Sequence, residues 1–138
     1  MGRMIYKVLT SEQWAAAESG GPVRAPVDEK DGYVHFSTGA QLQDTLSKWF
    51  KGQKGCVLAS FDADDFGPEL KWEKSRGDDL FPHVYGDVRA WQVRSLWLLD
   101  MGEDGAPVAP EEVILRRDEP RNPAKAGADK AAKAGVFS

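Results

Sequence analysis

Twice within its first fifty residues the chain runs from an alternating, apolar-rich stretch directly into a threonine followed three places later by a glutamine. This junction constrains the fold more than any other feature. Thr-x-x-Gln has capping-box spacing, in which the threonine hydroxyl and the glutamine amide satisfy the exposed backbone donors of a starting helix. The first junction joins Ile5 to Leu9, as a strand, to a helix from Ser11 to about Glu18, with Leu9 placed to staple against Trp14 across Thr10. The second joins Tyr33 to Ser37 to a helix that starts after Thr38 and ends near Phe50, along which Leu42, Leu46, Trp49 and Phe50 recur at helical spacing.

Strand side chains alternate between faces, so Val34, Phe36 and Thr38 share one side of the second strand, while Tyr33, His35 and Ser37 share the other. The first face reads as core, although Thr38 spends its hydroxyl on the cap. The second reads as a polar cleft wall, delivered where a strand meets a helix, a common setting for ligand sites.

Between these units Gly20 and Gly21 stop the first helix and Pro22 prevents its resumption. Pro22 to Lys30 reads as a polar surface connector, able to act as a flap. Beyond the second helix, Lys51 to Lys54 is a basic turn, and Gly55 to Phe61 is a short apolar run expected as a central buried strand. Further strands are expected over Leu70 to Glu73, Phe81 to Gly86, Val88 to Val93 and Ser95 to Asp100, with a short edge strand at Val113 to Leu115. Asp62, Asp64, Gly67 and Glu73 match four places of a calcium-loop template, but Phe66 stands at a ligand position, so an acidic capped turn is the better reading. The order of elements implies an α+β fold: a bent, mostly antiparallel sheet with two helices from the N-terminal half packed on it. Residues 1–116 are expected to form a single globular domain, and 117–138, rich in Ala, Lys, Gly and Pro, a flexible tail.

Charge divides along the same boundary: residues 1–116 carry 13 Lys/Arg against 19 Asp/Glu, whereas 117–138 carry 5 against 3. An acidic domain disfavours an extended nucleic-acid surface and leaves room only for a local basic pocket. No apolar run approaches the roughly 18 residues of a membrane span, and a cytoplasmic location is expected. Cys56 is the one cysteine, which excludes a disulfide framework and makes it a buried small hydrophobe.

Chemistry enters if three polar faces converge. Tyr33 with His35 and Ser37, Lys71 with Glu73, and His83 with Tyr85 would together supply both histidines of the chain, a carboxylate, hydroxyls and an ammonium group. Such a set transfers protons or holds an anion. His35, Glu73 and His83 are the candidate catalytic groups, and Lys7, Tyr33, Ser37, Thr38, Lys71 and Tyr85 the candidate ligand contacts. Two histidines and a carboxylate also form a common metal triad, although no element carries two closely spaced ligands. Each residue also has a plain structural reading, so the site rests on the set.

Four ordered motifs, I-Y-K-V-L-T-S-E-Q-W, D-G-Y-V-H-F-S-T-G-A-Q-L, L-K-W-E and F-P-H-V-Y-G, resemble the bacterial family called domain of unknown function 952, over roughly Met4 to Asp100. The resemblance implies a fold like that of ADP-ribosyltransferases. It would make Ile5 to Leu9 the strand that presents an Arg or His to nicotinamide-adenine dinucleotide (NAD), although here Tyr6 and Lys7 stand there. Phe36 to Thr38 would match the aromatic-Ser-Thr strand that braces the nicotinamide pocket. Val34 to Ser37 also looks like the V-H-L-S stretch of RNA 2′-phosphotransferases, and Glu73 would stand for the catalytic glutamate. NAD is the cofactor implied, and a nucleotide or a 2′-phosphorylated RNA end the ligand. A catalytically inactive binding or assembly module of the same fold and a metal-dependent hydrolase are the alternatives.

Overall fold

The computed structural model of the chain describes residues 3–116; the tail expected over 117–138 lies outside the described residues. Strand β1 (Met4–Leu9) leads into helix α1 (Ser11–Glu18), and both arms of the expected capping box form: Gln13 N donates to Thr10 Oγ1 and Thr10 N to Gln13 Oε1. Strand β2 (Val34–His35) leads in the same way into α3 (Gly39–Trp49), whose cap pairs Thr38 with Gln41.

The described residues form two three-stranded antiparallel sheets. In the first, β3 (Val57–Asp62) lies between β1 and β6 (Ser95–Leu98); in the second, β5 (Asp79–Val84) lies between β2 and β4 (Leu70–Arg76). One reciprocal pair joins them, Tyr6 N to Ser37 O at 2.8 Å and Ser37 N to Tyr6 O at 2.9 Å. The bent single sheet expected from the sequence is thus two sheets meeting at a seam, because the β2 segment bonds to β5 through the Phe36 N–H on the Pro82 carbonyl and then passes to β1 at Ser37.

Every residue of β1 is buried, because both faces of its sheet are covered. Ile5 and Leu9 join Val34, Phe36, Ala59, Phe61, Phe66 and Val84 in a core spanning the two sheets. Met4, Tyr6 and Val8 face the other way, against Leu42 and Leu46 of α3, Cys56 and Val113. Trp49 shares their helical spacing but turns to solvent, 65% exposed. Burial pushes the Cys56 thiol pKa up.

Three further expectations are corrected. The connector after Pro22 contains helix α2 (Pro26–Asp31), with Pro26 in its first turn and Gly32, at φ +85°, closing it. The strand expected at Val88 to Val93 is an isolated bridge from Arg89 to Pro22 followed by a short 3-10 turn, because Gln92 turns its amide oxygen back to the Arg89 N–H. The edge strand expected around Val113 is helix α4 (Glu111–Ile114), started by Pro110 and two glutamates that suit a helix N-terminus. Its Val113 carbonyl approaches so closely that a Cβ on Gly39 would lie 2.9 Å away, which requires glycine there. The described residues thus contain four α-helices rather than two. The Asp62 turn is an acidic cap, with Asp62 Oδ1 accepting from Asp64 N at 2.9 Å.

Candidate functional site

Antiparallel register sets His35 directly opposite His83, and His83 opposite Lys71 on the next strand. Directly opposed residues point to the same face. That face is the one away from Val34, Val84 and Leu70, which pack on the core. Alternation adds Tyr33 beside His35, Glu73 beside Lys71 and Tyr85 beside His83.

Four rings gather there. The Tyr33 centroid lies 4.3 Å from that of His83, 4.6 Å from His35 and 5.0 Å from Tyr85, and the two imidazoles meet edge-on at 5.3 Å. Glu73 organises one side. Its Oε1 accepts from His83 Nδ1 and from the Tyr85 hydroxyl, each at 2.8 Å, and Oε2 lies 3.1 Å from the same hydroxyl. These bonds hold the Glu73 carboxyl below its usual range, while the Tyr85 phenol moves up because it donates to that carboxylate. Burial, then the charges of Asp31 and Glu73, push the Tyr33 phenol up. Burial also lowers the His83 pKa and so favours the neutral ring, against the opposing pull of Glu73.

The other imidazole has a deeper support. Asp28 on α2 is fully buried, and its Oδ1 accepts from both His35 Nδ1, at 2.8 Å, and His35 N, at 3.0 Å. Its Oδ2 accepts from Ala25 N at 2.7 Å and pairs with Lys7 Nζ at 2.9 Å. Burial raises the Asp28 pKa, but the bond from His35, the Lys7 charge and the Ala25 N–H outweigh it and bring it from 3.8 to about 2. Burial pushes the Lys7 ammonium down, and Asp28 opposes that. At the outer edge, His35 Nε2 meets Asp31 Oδ2 at 2.9 Å.

Of the residues singled out from the sequence, Tyr33, His35, Glu73, His83 and Tyr85 come together, and Lys71 lies exposed beside them. Lys7 does not open into a cleft. Its ammonium is buried beneath the site, on Asp28 and on the His35 carbonyl at 2.9 Å. Ser37 is at the seam with its hydroxyl 3.0 Å from that of Thr45, and Thr38 is committed to the α3 cap. An open groove near the start of α3, lined by Thr38, Gln41 and Trp72 among others, includes none of the clustered rings. Among the described residues no group of three or more His, Cys, Asp or Glu side chains is placed to hold a metal ion.

Asp28 and Asp31 escaped the sequence reading. The signal for their helix was present in Pro26, Asp28, Glu29 and Gly32, a proline and acids at the start with a glycine at the end. Nothing local announced that Asp28 would be buried.

Residues 8–96 match the model of a family described as "Protein of unknown function (DUF952)". The chain belongs to the DUF952 family. It is similar to protein CC0527 from Caulobacter crescentus, whose crystal structure superposes with a TM-score of 0.76 at 40% identity, covering 80% of this chain and 97% of that one. The solution structure of CC0527 gives 0.68 at 42% identity, covering 75% and 90%. No curated protein matches the chain. The DUF952 match runs from within β1 into β6, and so takes in both imidazoles and both of their carboxylate supports. No described helix is long and apolar enough to cross a membrane.

Proposed function

We propose that the ring cluster of this DUF952 protein is a cleft that binds a nucleotide or similar phosphorylated ligand and does acid–base work on it. One observation carries the reading. His83 is 2% exposed and oriented by Glu73 through Nδ1, yet among the described residues no hydrogen-bond partner reaches its Nε2. Buried polar atoms are ordinarily satisfied, and a neutral imidazole held by a carboxylate is suited to take a proton at its other nitrogen. His83 is then the base, Glu73 its orienting group, and Tyr33 and Tyr85 the aromatic surfaces against which a base or other planar group lies. Lys71 supplies the available ammonium; Lys7, already paired, acts from below.

An ADP-ribosyltransferase-like fold, NAD as cofactor, transferase chemistry and a cytoplasmic location belong to this proposal and rest on the sequence alone. The test is calorimetry and thermal shift of the full chain with NAD, ADP-ribose and 2′-phosphorylated oligonucleotides. Binding by at least one ligand, lost in His83→Ala, is the expected result. Silence across the panel, or binding indifferent to His83→Ala and Glu73→Gln, would overturn it.

A second reading, an inactive binding or assembly module, draws support from large apolar side chains left in solvent, with Trp91 82% and Leu98 75% exposed. It predicts a partner protein retained on the purified chain regardless of His35→Ala or Glu73→Ala.

A further inference from the structure

The two carboxylates on His35 are not equivalent. Asp28 is fully buried and shared among Lys7, Ala25 and two donors of His35, so it cannot leave without dismantling the base of the site. Asp31 is the last residue of α2, its side chain is 35% exposed, and Gly32 follows it in the left-handed region at φ +85°. Its carboxylate oxygen Oδ2 lies 2.9 Å from His35 Nε2. With Lys7 already matching Asp28, Asp31 is the second carboxylate on the ring and stands at its outer nitrogen.

We infer that the Asp31 carboxylate stands in the place of a ligand oxyanion, so that His35 Nε2 is a phosphate subsite occupied by the protein's own helix end. The inference rests on the proposed binding of a phosphorylated ligand and adds which imidazole receives the phosphate and what it displaces. Geometry places such an anion beside the proposed base, because His35 and His83 are register partners with rings 5.3 Å apart. The charge of Asp31 is felt at both Tyr33 and His83, so an anion at the same point would be as well. Exposed Lys71, opposite His83, adds positive charge on that face. A phosphate replacing Asp31 sends that carboxylate into water, where it still repels the ligand. Occupancy by Asp31 therefore lowers the apparent affinity by the fraction of time it is in place.

Titration calorimetry of the full chain tests this, with inorganic pyrophosphate as the free anion and ADP-ribose as the nucleotide-borne one. Asp31→Ala should tighten binding of both by roughly tenfold, as expected when a competing like charge is removed. Adding His35→Gln to Asp31→Ala should abolish that gain. Asp31→Asn, which keeps the shape without the charge, should also bind more tightly, and it carries the test if Asp31→Ala fails to fold. Equal or weaker binding in the folded Asp31 variants overturns the inference. If ADP-ribose still binds and is lost on His83→Ala, the functional reading survives that failure; if neither probe binds any of these chains, both fall.

Discussion

At Asp28 four hydrogen-bond donors converge on one buried carboxylate. Asp28→Asn removes the charge that matches Lys7 and leaves an ammonium buried at 4% exposure. Breaking one side of a buried pair costs about 3–5 kcal/mol, so urea denaturation should show a loss of that size. The pH dependence has a definite sign. A carboxyl at about 2 in the folded chain against 3.8 unfolded is a depressed acid. Its contribution, about 2 kcal/mol, is complete above the unfolded value and is lost as pH falls from about 5 toward 2. Stability measured over that range should decline in the native chain and decline less steeply in Asp28→Asn.

Helices α1 and α3 illustrate elements whose ends are decided locally. Thr10 with Gln13 and Thr38 with Gln41 form in the structure the boxes their spacing announces, since each involves only atoms within one turn. Thr38→Ala deletes one of these bonds and should cost about 1 kcal/mol, read as a lower melting temperature with ligand binding retained. Helix α2 is the opposite case. Its six residues are too few to stand alone, and it is held by Asp28 and Asp31 on His35 and by Asp28 on Lys7. Its start and stop signals are in the chain, but its docking depends on residues 21 places away along the sequence.

At the scale of the whole molecule, the two sheets share one core and one backbone seam, so neither is expected to unfold by itself. Trp14 and Trp72 pack against the core between the sheets, and Trp97 against the cluster under α3. Urea transitions followed by tryptophan fluorescence and by far-ultraviolet circular dichroism should therefore coincide, as two-state unfolding requires. Separated transitions would show that the Tyr6–Ser37 seam does not couple the sheets.

Much of the candidate site was legible because it depends on alternation. A period of two put Tyr33 with His35, Lys71 with Glu73 and His83 with Tyr85, and antiparallel pairing brought those faces together. The same rule failed for Ser37, because after Phe36 the backbone passes from β5 to β1 and the Ser37 hydroxyl turns to Thr45. It failed for Val88 to Val93 and for Val113, where apolar content suited a strand but side-chain turns and a proline start decided otherwise. Lys7, a ligand candidate from its place on β1, is instead claimed by Asp28. By itself, then, the sequence determined the capped strand–helix junctions and the division of each strand into core and polar faces, both of which are short-range steric and hydrogen-bonding matters. The tertiary structure alone decided that Asp28 lies beneath His35, that Lys7 serves Asp28, and that Asp31 covers the outer nitrogen, because burial and ion pairing act between groups that only folding brings into contact.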